Sequence, residues 1–165
     1  MGTRGGTTYA RRFQSHDGRR ALALPAHAAD IPQYVKGPIS GLIYDCEKSK
    51  QTPPQEEAYV SRADFDGDGK PDYVVDTGKG CAANRALFCS AEGCTLDVYL
   101  SLQEGLGGKF KAVDFAIGKT GKGDALVLDQ TKGTGACTLP KPPDAEGPCG
   151  LYHSFDGEQL VPWKP

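Results

Sequence analysis

The run Asp64-Phe65-Asp66-Gly67-Asp68-Gly69-Lys70-Pro71-Asp72 constrains this chain more than any other stretch. Four carboxylates stand at positions 1, 3, 5 and 9 of a short glycine-containing segment. So many like charges repel one another unless a cation sits among them. Hard oxygen donors at alternate positions suit calcium, which takes 6–8 oxygens at about 2.3–2.6 Å. Gly67 and Gly69 supply the positive φ angles of a turn wrapped around an ion. The expected ligands are the side chains of Asp64, Asp66, Asp68 and Asp72 with the carbonyl of Lys70, and the expected cofactor is Ca2+. The bland alternative is an Asp/Gly turn that binds nothing.

The flanks decide which kind of calcium loop this is. A helix-flanked EF-hand needs a bidentate Glu at position 12. That position is Val75, and position 8 is Pro71, which has no N–H to donate. The residues after the loop, Asp72-Tyr73-Val74-Val75-Asp76, are β-branched and aromatic and predict a strand. Tyr59 and Val60 mark a second short strand before it. Residues 64–75 thus resemble the calcium hairpin of FG-GAP/VCBS-type repeats, which build blades of β-propellers. The resemblance implies a β-hairpin metal site with its ligands at Asp64, Asp66, Asp68, Lys70 and Asp72. It covers about a dozen of the 165 residues, and the loop occurs once. A propeller needs typically 4–8 blades, so a complete one is not expected.

Six cysteines, Cys46, Cys81, Cys89, Cys94, Cys137 and Cys149, include no C-x-x-C pair, so the usual zinc spacing is missing. Three disulfides are the better reading, and they imply an oxidising compartment. Short separations favour Cys89–Cys94 and Cys137–Cys149, which leaves Cys46 with Cys81. Ala26-His27-Ala28, behind Arg19-Arg20 and a short apolar run, has the form of an export cleavage site. Residues 1–28 are read as a signal-like or non-native leader, and 29–165 as a single domain, periplasmic or secreted.

Net charge is −2, which gives no basic footprint for nucleic acid. No apolar run approaches the roughly 20 residues of a transmembrane helix. Glycine (22) and proline (12) are about a fifth of the chain, which favours a loop-rich fold. The period-two alternation of Leu96, Val98, Leu100 and Leu102 predicts a half-buried strand over 95–102. Further strands are expected at 41–46, 110–117, 124–129, 151–155 and 159–163. Gly105–Lys109 reads as a turn, and Ala82–Cys89 as one short helical turn. Asp156-Gly157 between apolar runs signals a hairpin. The expected fold is all-β: a disulfide-stapled antiparallel meander, partial propeller-like or sandwich, with long loops and no helix longer than a turn or two.

Catalytic candidates are thin. His153 is the only histidine after residue 28, and neither Ser101 nor Ser154 lies in a Gly-x-Ser-x-Gly elbow. Asp114, Asp124 and Asp129 read as solvated strand faces or turn caps. Gly118–Gly123 lacks the spacing of a phosphate loop. No catalytic residue is assigned. The expected function is that of an exported calcium-binding, disulfide-stabilised β domain, a binding or structural module. Its partner would be a protein or glycan in the envelope or outside the cell. The alternative is a small secreted hydrolase inhibitor, or a hydrolase, using the Cys137–Cys149 loop.

Overall fold

Two antiparallel sheets and one long helix make up the computed structural model, which describes residues 30–129 and 141–164. The first sheet contains β1 (Val60–Ala63), β2 (Asp72–Asp76), a two-residue β3 (Cys89–Ser90), β4 (Gly93–Leu100) and β5 (Gly105–Ala112). β4 is its centre: it pairs with β2 and β3 and, through a bulge between Val98 and Tyr99, with β5. The second sheet is a four-strand meander of β6 (Asp114–Thr120), β7 (Gly123–Asp129), β8 (Leu151–Phe155) and β9 (Leu160–Pro162).

Alternation along the strands sorts side chains between two apolar layers. Val74, Leu96, Val98 and Leu100 from the first sheet meet Leu126, Leu128 and Leu160 from the second, so the two sheets share one core. The opposite face of the first sheet carries Tyr73, Val75 and Tyr99. It is covered by Val35, Ile39 and Leu42 of helix α1 (Gln33–Lys48). Behind the second sheet, Ala125, Val127 and Tyr152 bury Ala145.

The helix corrects the expectation of no helix longer than a turn or two, and of a strand at 41–46. α1 runs 16 residues through Gly37, Pro38 and Gly41. Those residues argue against a helix locally. Val35, Ile39, Leu42 and Cys46, at helical spacing, are all buried, and tertiary packing of such a stripe outweighs propensity. The expected turn at Gly105–Lys109 is instead the first half of β5. A side chain at Gly107 would collide with Leu100, 2.5 Å from its Cγ, so the strand needs glycine there. The expected single strand 110–117 is cut at Val113 into β5 and β6, which join different sheets. Leu102 leaves the buried row of β4 and is exposed, because the chain turns off in a 3-10 segment at Ser101–Gln103.

Two disulfides are described, Cys46–Cys81 with Cα atoms 5.8 Å apart and Cys89–Cys94 with Cα atoms 3.9 Å apart. The first ties the end of α1 to the cap of the short helix α2 (Ala82–Phe88). Cys149 is also disulfide-bonded. Cys137 and the leader 1–28 lie outside the described residues.

Candidate metal centre

Residues 64–71 join β1 to β2, and the Ala63–Asp72 pair closes the hairpin at its base. Gly67 and Gly69 have φ of 74° and 81°, as the tight turn demands. Phe65, in the midst of the acids, is 2 % exposed and pins the loop to the core shared by the sheets. The acids shape the turn themselves. Asp68 N–H donates to Asp66 Oδ1 (3.0 Å), Gly69 N–H to Asp64 Oδ2 (3.1 Å) and Lys70 N–H to Asp68 Oδ1 (2.7 Å).

Asp64 and Asp66 each hold the turn with one oxygen. The other oxygen of each, Asp64 Oδ1 and Asp66 Oδ2, is buried and has no hydrogen-bond partner. Asp64, Asp66 and Asp72 each place one carboxylate oxygen within 4.8 Å of the others. Two oxygens on one calcium ion, each at about 2.3–2.6 Å, can stand no more than about 5 Å apart. The spacing therefore fits a shared cation. Among the described residues no other group of three or more His, Cys, Asp or Glu side chains comes this close.

Electrostatics points the same way. Burial pushes the Asp66 carboxyl above the usual carboxylate range, and the charges of Asp72, Asp68 and Asp64 add to it, against the Asp68 amide. Burial likewise raises Asp72, reinforced by Asp64 and opposed by the amides of Ser101 and Phe65. The mutual repulsion of these carboxylates thus adds to the cost of burying them.

The loop acids do not share one role. Asp72 is fully buried, and both its oxygens accept from backbone amides, Oδ2 from Phe65 (2.8 Å) and Oδ1 from Ser101 (2.7 Å). It anchors the loop to the end of β4 as well as facing the cluster. Asp68 lies outside the close group, with Oδ2 3.8 Å from the exposed Lys70 ammonium. Lys70 sits on the exposed shoulder of the turn. An open groove of about 300 Å³ runs beside the loop between Arg62, Pro71 and Asp124.

Asp124, like Asp114 and Asp129, reads in sequence as a solvated strand-face or turn-cap acid. It is instead 7 % exposed, pairs with the Lys119 ammonium across β6 and β7, and accepts the Asp64 N–H on Oδ2 (2.9 Å). Nothing in the local sequence marks this role, because the partner is 60 residues away. Asp114 is exposed and accepts its neighbour's amide at Phe115. The Asp129 side chain lies outside the described residues.

His153 does not join the acids or a serine. Its ring meets Phe110 edge-on, and Nδ1 lies 3.2 Å from the Leu151 carbonyl. Burial pushes the imidazole below its usual value, against that carbonyl. The unfolded chain therefore takes up the proton first, at about pH 6.5. Stability from this group is present above that pH and is lost as the pH falls toward the lower folded value. We expect His153→Gln to flatten that part of the stability–pH curve, measured by urea unfolding from pH 7.5 to 5, and to leave calcium affinity unchanged. An identical curve for wild type and variant would refute it.

The described part of the Cys137–Cys149 loop is fastened to β6 at Glu146, while Lys141, Pro143, Asp144, Glu146, Gly147 and Pro148 are exposed. Lys119 N–H donates to Glu146 O (2.7 Å), Glu146 N–H returns a bond to Lys119 O (2.8 Å), and Pro142 and Ala145 are buried. The remainder of the loop, 137–140, lies outside the described residues. No helix among the described residues is long and apolar enough to cross a membrane. No family model, curated protein or solved structure matches the chain.

Proposed function

We propose that this is an exported calcium-binding β domain, stapled by disulfides, that works as a binding or structural module. The observation that carries the reading is the pair of buried, unpartnered oxygens on Asp64 and Asp66 beside the buried Asp72. A buried acceptor without a partner costs about 1–3 kcal/mol, more when charged, and a cation is the partner that would serve both. Calcium suits the site better than magnesium. The donors lie on a glycine-containing loop with unequal roles, whereas magnesium demands near-ideal octahedral geometry and gives up its water reluctantly.

The resemblance of residues 64–75 to the FG-GAP/VCBS hairpin supports the same ion. The disulfides are compatible with an oxidising location. The ion's task is structural: its loop links two strands directly and is pinned by Phe65 and Asp72. The partner we propose is a protein or glycan of the envelope or exterior.

Titration calorimetry on chelator-stripped protein tests the reading. We expect one saturable calcium site, weaker magnesium binding, and no calcium heat for Asp64→Ala plus Asp66→Ala. At a hundredfold excess of calcium over Kd the wild type should gain about 2.7 kcal/mol of stability. A wild type without calcium heat, or a double variant that keeps it, would sink the assignment.

A further inference from the structure

We infer that Asp124, on the second sheet, is a positioning residue for the cation loop of the first: it holds Asp64 in place and carries the effect of ion binding into the β6–β7 hairpin. The inference rests on the calcium reading above. Its physical basis is a reciprocal bracket. Asp64 N–H donates to Asp124 Oδ2 (2.9 Å), and Asp124 N–H donates to Asp64 O (2.8 Å). The peptide groups on both sides of the first expected ligand are thereby held by one residue of the other sheet. The second oxygen of Asp124 is occupied by the Lys119 ammonium, its cross-strand neighbour. With Asp124 7 % exposed, water competes poorly for these bonds.

The backbones are also in contact, which makes the bracket stiff. A Cβ on Gly123 would lie 2.9 Å from Asp64 O and 3.1 Å from Phe65 O. A Cβ on Gly67 would lie 2.8 Å from Lys122 O. Glycines on both sides therefore let the turn at 121–122 press directly on the loop. Asp64 Oδ1 is the oxygen left without a partner. Drawing it onto an ion moves a peptide that cannot shift without moving Asp124 and Gly123. Loss of an outer partner that orients a metal ligand typically costs 10–100-fold in metal affinity.

The test compares wild type, Asp124→Asn and Gly123→Ala by calcium calorimetry and by hydrogen exchange with and without calcium. Asp124→Asn keeps the shape but weakens the acceptor toward Asp64 and disturbs the bond to Lys119. Gly123→Ala inserts a methyl group against Asp64 O without a change of charge. In the wild type, calcium should slow exchange in both 60–76 and 119–126. In each variant calcium affinity should fall at least tenfold, and the protection of 119–126 should be lost while residual protection stays in 60–76. Circular dichroism of the calcium-free variants checks that the fold is kept. If Asp124→Asn does not reach the wild-type spectrum, Gly123→Ala makes the same comparison. Wild-type affinity and protection of both segments in a folded variant would overturn the positioning role and leave the calcium site standing. A wild type that binds no calcium would instead overturn the site and this role with it.

Discussion

Asp72→Ala is expected to lower stability by about 3 kcal/mol even in calcium-free buffer, and to remove the calcium-dependent gain as well. The carboxylate is fully buried and is the acceptor for two backbone amides from opposite sides, Phe65 in the loop and Ser101 at the end of β4. A hydrogen bond to a charged group contributes about 1.5–3 kcal/mol net. Truncation also leaves the buried Phe65 donor and the part-buried Ser101 donor without acceptors, at about 1–3 kcal/mol for a fully buried one. Relief of the cost of burying a charge offsets much of this, which is why the expected loss lies below the plain sum. Asp72→Asn should cost about half as much, because an amide keeps one acceptor oxygen. Urea unfolding with excess chelator and with calcium reads both effects. An unchanged calcium-free midpoint for Asp72→Ala would mean that Asp72 serves the ion alone and does not anchor the loop.

Such a double role explains why the loop was legible in sequence while its setting was not. The 1-3-5-9 acids and their glycines are a local code. The turn they form, with Gly67 and Gly69 at positive φ, depends on residues within a few positions of each other. Local signals also placed β8 at Leu151–Phe155 and the short helix α2. The Asp156-Gly157 hairpin is local as well, with Asp156 Oδ1 accepting from Glu158 and Gln159 N–H. Apart from the Cys46–Cys81 bridge, expected by elimination, features decided at a distance were missed. Helix α1 owes its form to burial against Tyr73, Val75 and Tyr99, which no window over 33–48 contains. The break at Val113 divides a strand-forming run that is continuous in the letters but changes sheet in space. Asp124 looks like any strand-edge acid until Asp64, 60 residues earlier, is laid against it. Asp68 fits the acidic spacing yet stays out of the close group, with Oδ1 accepting the Lys70 amide and Oδ2 turned toward the exposed Lys70 ammonium.

Removing the Cys46–Cys81 bridge is expected to cost roughly 4 kcal/mol, by the chain-entropy relation for its separation of 35 residues. The same relation gives roughly 2 kcal/mol for Cys89–Cys94, with its separation of 5. The larger loop contains β1, the acidic turn and β2. Its closure therefore limits how far the acidic cluster can disperse in the unfolded chain. The native surroundings add to the difference. Cys46 is fully buried on the sheet-facing stripe of α1, and buried Asn84 beside the bridge donates to Leu42 O (3.1 Å). Loss of the bridge thus loosens the contact of α1 with α2 and, through Leu42, the cover over the back of the first sheet. Cys46→Ala plus Cys81→Ala should show this as a lower urea midpoint with faster exchange in residues 33–48. Cys89→Ala plus Cys94→Ala should leave that helix protected. On the calcium reading, ion and bridge restrain the same stretch of chain, so their contributions should be non-additive in a double cycle with Asp64→Ala. A greater loss from the Cys89–Cys94 pair, or unchanged exchange in α1 without Cys46–Cys81, would show that the long bridge does not hold the helix to the sheet.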